Sequence, residues 1–112
     1  MEWQSKIKAE FTKAEQARAH GNEGQARVCA RRAAGLAARE YFARLGEPIH
    51  TSSAYDLLNL LAGDIRLSAE TRQAASYLTL RVDDQFKLPV DVDLITEANK
   101  LVNVLAAPSR ID

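Results

Sequence analysis

The sequence has one cysteine, two histidines and one tryptophan in 112 residues, and each scarcity closes off a class of protein. A lone thiol, Cys29, has no partner for an internal disulfide, and the small apolar residues around it make it a small hydrophobe rather than a reactive group. His20 and His50 stand far apart, and no cysteine or histidine pair has the spacing of a zinc site, so the reading contains no metal and no cofactor. No apolar run approaches the ~18 residues of a membrane span. The first residues, Met1 to Lys6, lead into an amphipathic pattern instead of a charged stub followed by an apolar block, which argues against a secretory signal. A cytoplasmic protein with no membrane contact is expected. No strand-like alternation is sustained, because Phe86-Lys87-Leu88 comes nearest and Pro89 cuts it off. No repeat and no stretch rich in Gly, Ser or Pro divides the chain, so residues 1–112 are read as one domain.

What is present is helical periodicity. Trp3, Ile7, Phe11, Ala14 and Ala17 recur at three- or four-residue steps and predict a first helix from about Glu2 to His20, stopped by Gly21, with His20 placed to interact with the C-terminal dipole. Asn22 is a natural cap for a second helix over Glu23 to Leu45, ended by Gly46. This helix carries a face of small residues, Ala26, Cys29, Ala30, Ala33 and Ala37, with Leu36 and Tyr41, which lets neighbouring helices approach closely and marks it as central. After Pro48, one of Thr51, Ser52 and Ser53 caps a third helix with Leu57, Leu58, Leu60, Leu61 and Ile65 as its apolar surface. A fourth opens at Ser68 with Glu70 in its first turn, and buries Ala74, Ala75, Leu78 and Val82 before Pro89. A fifth starts near Asp91 or Asp93 and packs Ile95, Ala98, Leu101, Val102 and Leu105 before Pro108 and a tail ending in Asp112. The fold class is all-α, an up-and-down bundle of about five helices.

Charge is segregated. Residues 1–46 carry nine basic and five acidic side chains, a balance of +4, and residues 47–112 carry six and ten, a balance of −4. Four of the basic groups form a strip on the second helix, Arg27 and Arg31 one turn apart and Arg32 and Arg39 two turns apart on an adjoining line. Arginine forks suit phosphate, so the strip is a candidate site for a nucleotide or an RNA backbone, against the alternative of a solvated face whose stems shield apolar atoms. Glu40 falls close to the centre of the small apolar face, and Arg44 one turn on is its expected ion-pair partner. Tyr41, Tyr55 and Tyr77 are expected at the bundle edge with their hydroxyls reaching water. Trp3 is either a core anchor or part of a dimer surface.

The stretch from Ala26 to Pro48, ARVCARRAAGLAAREYFARLGEP, resembles the long Ala-rich helix of HEPN domains, with its basic residue and Leu-Gly ending. Tyr55-Asp56-Leu57, followed by Leu58, Leu60 and Leu61, resembles the leucine-rich third helix of that family, and Arg81-Val82-Asp83-Asp84 its turn after the fourth. The resemblance implies a small helical domain, frequently a homodimer, found beside minimal nucleotidyltransferases in toxin–antitoxin modules, with some members ribonucleases and others nucleotide binders. The nuclease members use an Arg and a His separated by four to six residues. Here no histidine follows Arg81 at that spacing, Tyr55 stands where a histidine is expected before Asp56, and Gly35 stands where many relatives carry an acidic residue. The one pair of nuclease-like spacing is Arg44 and His50, the candidate catalytic residues: a metal-independent ribonuclease needs a proton carrier and a cation for the phosphorane charge. Gly46 and Pro48 lie between them, so the pair straddles a helix end. Binding is therefore favoured over catalysis. The reading is of an HEPN-like homodimeric module that takes a nucleotide or RNA and works with a nucleotidyltransferase, with a ribonuclease toxin and a helical adaptor without nucleotide role as alternatives.

Overall fold

Two glycines in the left-handed region, Gly21 at φ +77° and Gly46 at φ +71°, end the two long helices, as the missing Cβ permits. In the computed structural model, which describes residues 2–81, 88 and 90–106, α1 spans Glu2–Ala19 and α2 spans Glu23–Arg44. The amides of Gly21 and Asn22 return to the carbonyls of Arg18 and Ala17 at 3.0 and 2.8 Å. His20 adds its ring Nδ1, 2.7 Å from the Gln16 carbonyl. Asn22 then opens α2, its side-chain oxygen accepting from the Gln25 amide at 3.1 Å. The same cap chemistry starts α3 (Ala54–Ala62) at Ser53 and α4 (Ala69–Leu78) at Ser68, with each hydroxyl taking an orphan first-turn N–H. At α5 (Leu94–Ala106) the Asp93 carboxylate accepts from the Ile95 amide at 3.1 Å.

Among the described residues there are five helices and no strand. The central position expected of the second helix is observed: α2 packs against α1, α3 and α5, and α4 closes the gap between α3 and α5. Contact on three sides buries Ala34, Gly35, Ala38 and Phe42 in addition to the expected alanines and Cys29, so roughly two thirds of the helix circumference is covered. Six of its nine buried residues are alanine and only Phe42 is large, so most of the bulk comes from the neighbours. Leu57, Leu58 and Leu61 of α3, Leu78 of α4, and Leu94 and Leu101 of α5 are all fully buried, each worth about 2 kcal/mol of transfer free energy. The buried side chains of all five helices join in one cluster. On α1 the expected face is confirmed, with Ile7 and Ala14 buried and Trp3, Phe11 and Ala17 packed at the margin.

Gly35 marks the closest approach of two helices. A Cβ there would stand 2.9 Å from the Cβ of Ala54 and 3.2 Å from its Cα, so the first turn of α3 sits directly on the α2 backbone. Polar links hold the periphery. Arg18, at the end of α1, donates to both carboxylate oxygens of Glu23 and both of Asp93, joining α1 to the starts of α2 and α5. Asp64, buried beyond α3, takes a two-point bond from Arg66 at 2.8 Å and a bond from the Tyr41 hydroxyl at 3.1 Å; Arg66 also reaches Glu47 at 2.5 Å.

Three expectations are corrected. Ile65 does not contribute to the apolar surface: α3 ends at Ala62, and Ile65 is 87% exposed in the turn that follows. Leu60 lies half-exposed on the outer side of α3. The Tyr41 hydroxyl is committed to Asp64 rather than to water. The expected burial of Val82, the remainder of the Arg81–Asp84 stretch, Phe86, Lys87, Pro89, Pro108 and Asp112 lie outside the described residues.

Candidate anion-binding site

The four arginines of the expected strip separate into two pairs because α3 lands between them. Arg27 and Arg31 face the side where Tyr55 and Arg81 stand; Arg32 and Arg39 face the side where α1 begins. The placement follows from helix geometry, since at 100° per residue Arg31 falls within the covered arc of α2 while Arg32 and Arg39 fall on its open edge.

The first pair lines a cleft of about 790 Å³ bounded by Gly21 to Gly24, Arg27, Val28, Arg31, Tyr55 and Arg81. Arg31 is half-buried and is positioned by the end of α4: its Nε donates to the Leu78 carbonyl at 2.8 Å and its Nη2 to the Leu80 carbonyl at 2.7 Å. Two of the five guanidinium N–H groups are used in this way, leaving three. The Tyr55 ring orients the rest, with the Arg31 guanidinium carbon 5.3 Å from its centroid and that of Arg81 at 4.8 Å. Among the described residues no carboxylate pairs with Arg31 or Arg81. The one acid among the described residues of the cleft, Glu23, lies 4.0 Å from Arg27 but has both oxygens bonded to Arg18. The environment disfavours the charge it holds: burial pulls the Arg31 guanidinium below its ordinary range, and the nearby cations Arg27 and Arg81 act in the same direction.

The cleft also contains the N-terminus of α2. The amides of Glu23 and Gly24 lie in its first turn, where no intrahelical acceptor exists, and Gly24 leaves the approach open, with only the Asn22 side-chain oxygen near a hypothetical Cβ, at 3.9 Å. Guanidinium forks and a helix N-terminus in one concavity are the donor types that suit a compact anion.

The second pair lines a cleft of about 690 Å³ on the opposite flank of the α2–α3 crossing, together with Glu2, Trp3, Lys6, Glu10 and Glu40. Arg39 donates to the Thr51 carbonyl at 3.2 Å, whereas Arg32 makes no ion pair among the described residues. Glu40 makes none among them either, and its expected pairing with Arg44 does not occur: Arg44 turns to α5 and donates to the Leu105 carbonyl. Glu40 escapes full burial because α1 begins beside it and leaves the end of the small face open.

Arg44 and His50, the candidate catalytic pair, are not brought into either cleft. Both are exposed, Arg44 at the end of α2 and His50 in the linker to α3. Arg81 and Tyr55 are the site residues that sequence reading leaves unassigned, and the available signal is that Arg31 shares the side of α2 on which Tyr55 enters. Among the described residues, no three His, Cys, Asp or Glu side chains cluster as a metal site, and no helix is long and apolar enough to cross a membrane. Compared with protein-family models, with curated proteins and with solved structures, the chain finds no match in any of the three.

Proposed function

We propose that this chain is an HEPN-like binding module that takes a phosphate-bearing ligand, a nucleotide or an RNA strand, in the cleft between the start of α2 and Arg81. The observation that supports this is the convergence of Arg31 and Arg81 on Tyr55 at a helix N-terminus, with no carboxylate among the described residues set against either of them. A phosphate there takes three classes of donor at once: the remaining Arg31 N–H groups, the Arg81 fork, and the first-turn amides of α2. Action as a homodimer and pairing with a nucleotidyltransferase rest on the sequence resemblance.

The test is isothermal titration of the purified protein with ATP, with inorganic phosphate and with a short single-stranded RNA. We expect binding that weakens as salt rises, and about a tenfold loss in Arg81→Gln, in proportion to one charge-assisted fork. Arg81 is the residue of choice because Arg31 also caps α4. ATP and RNA separate the two ligand sources, and recovery of the RNA uncut separates binding from cleavage. No heat with any of the three, or equal affinity in the variant, would sink the proposal.

A further inference from the structure

The second cleft has a different chemistry. Its lining carries both signs of charge in equal number, Lys6, Arg32 and Arg39 against Glu2, Glu10 and Glu40, around the apolar surface of Trp3 and Leu36. Among the described residues Lys6, Arg32 and Glu40 make no ion pair or hydrogen bond, although each has an opposite charge within the same concavity. Two polar atoms in the wall are buried without a partner among the described residues: Nε1 of Trp3, a donor, and Oε1 of Glu10, an acceptor whose sister oxygen lies 3.8 Å from the Lys13 ammonium. Orphaned groups of this kind each cost free energy that a ligand or ordered water can restore. They sit one above the other on α1, at i and i+7, on the face turned to α2.

We infer that this cleft binds a small zwitterion with an apolar body, of amino-acid or dipeptide chemistry. Its ammonium group would be taken by the carboxylates of Glu10 and Glu40, its carboxylate by Arg32 and Lys6, and its side chain by Trp3 and Leu36. A simple anion is disfavoured by the carboxylates, and a simple cation by the arginine and lysine; only a ligand with both ends charged satisfies the whole lining. The volume of about 690 Å³ falls in the range of small-molecule sites. The site is independent of the phosphate cleft, from which the α2–α3 crossing divides it, so the two proposals stand or fall separately.

Trp3 is the only tryptophan, which makes the cleft self-reporting. The experiment titrates L-leucine, L-phenylalanine and L-leucyl-L-leucine into the protein while following tryptophan emission and melting temperature, with N-acetyl-L-leucine amide as the uncharged control. At a ligand concentration about ten times Kd, a saturable emission change should accompany a rise in melting temperature on the order of 5 °C. The control should give neither effect. Glu40→Gln and Arg32→Gln, both at positions with access to solvent, should each weaken the response about tenfold while leaving the helical circular dichroism unchanged. Three results would overturn the inference: no response to any of the three zwitterions, an equal response to the uncharged control, or affinity unaltered in both variants.

Discussion

At the scale of single residues, Asp64 is the clearest case of a side chain whose protonation is set by the fold. The two-point bond from Arg66 holds its carboxyl at about 2, against an ordinary 3.8, with the Tyr41 hydroxyl acting in the same direction and burial opposing. A folded pKa below the unfolded one contributes stability at pH above the unfolded value, and that stability is lost as pH falls through the folded one. The window therefore lies between about pH 4 and pH 2. The size is on the order of 1–2 kcal/mol, allowing for the half-exposed partner Arg66. Urea unfolding followed across this range should show an acid-induced loss in the native chain and a flatter profile in Asp64→Asn; an identical slope in both would assign the acid response to other carboxylates. Tyr41 is held by the same contact: burial, followed by the bond to Asp64, pushes its hydroxyl above the ordinary range.

At the scale of elements, the crossing of α2 and α3 depends on Gly35. Alanine in a helix interior is ordinarily favoured over glycine by about 0.5–1 kcal/mol, but here its methyl would stand 2.9 Å from that of Ala54. Overpacking of a close helix crossing costs roughly 1–3 kcal/mol, so Gly35→Ala should lower the denaturation midpoint, and Ala54→Gly in the same chain should recover part of the loss. A stabilised Gly35→Ala protein would mean that α3 shifts freely. The helices themselves are legible in the sequence because their signals are local: Asn22, Ser53 and Ser68 cap what they precede, and Gly21 and Gly46 stop what they follow. Ile65 is misassigned to the third helix because the apolar spacing continues past the turn that ends it. The site is less legible. Whether Arg31 or Arg32 faces solvent is decided by which helices cover α2, and that information is spread over the leucines of three other elements. For the same reason Glu40, placed at the centre of a face by periodicity, ends at an opening, because the face is longer than the helix that covers it.

At the scale of the whole molecule, Arg18 connects points distant in the chain, with its fork on Glu23 and Asp93 at 2.6 and 2.8 Å. These partners hold its proton more firmly than usual, the Glu23 bond foremost and Asp93 next, and both carboxylates are lowered in return. The group is partly exposed, so its worth is that of a surface network. Arg18→Ala should cost about 1 kcal/mol at low salt and less at high salt. Guanidinium chloride would mask the effect through its own ionic strength, so urea melts at two salt concentrations are the measurement, and a cost independent of salt would assign the loss to packing of the arginine stem.

The alanine face of α2 sets how this chain tolerates change. Apart from Phe42, the helix presents almost no side-chain bulk to the core, so it has little to lose by truncation and no space to accept an addition, and substitutions along it are sorted by size before they are sorted by polarity. The leucines of α3, α4 and α5 obey the opposite rule, since each fills a space that a smaller residue would leave empty. Variation is therefore most freely accommodated along the narrow open edge of α2, the strip that borders both clefts. The fold leaves the linings of the two clefts to diverge while it holds the scaffold beneath them fixed.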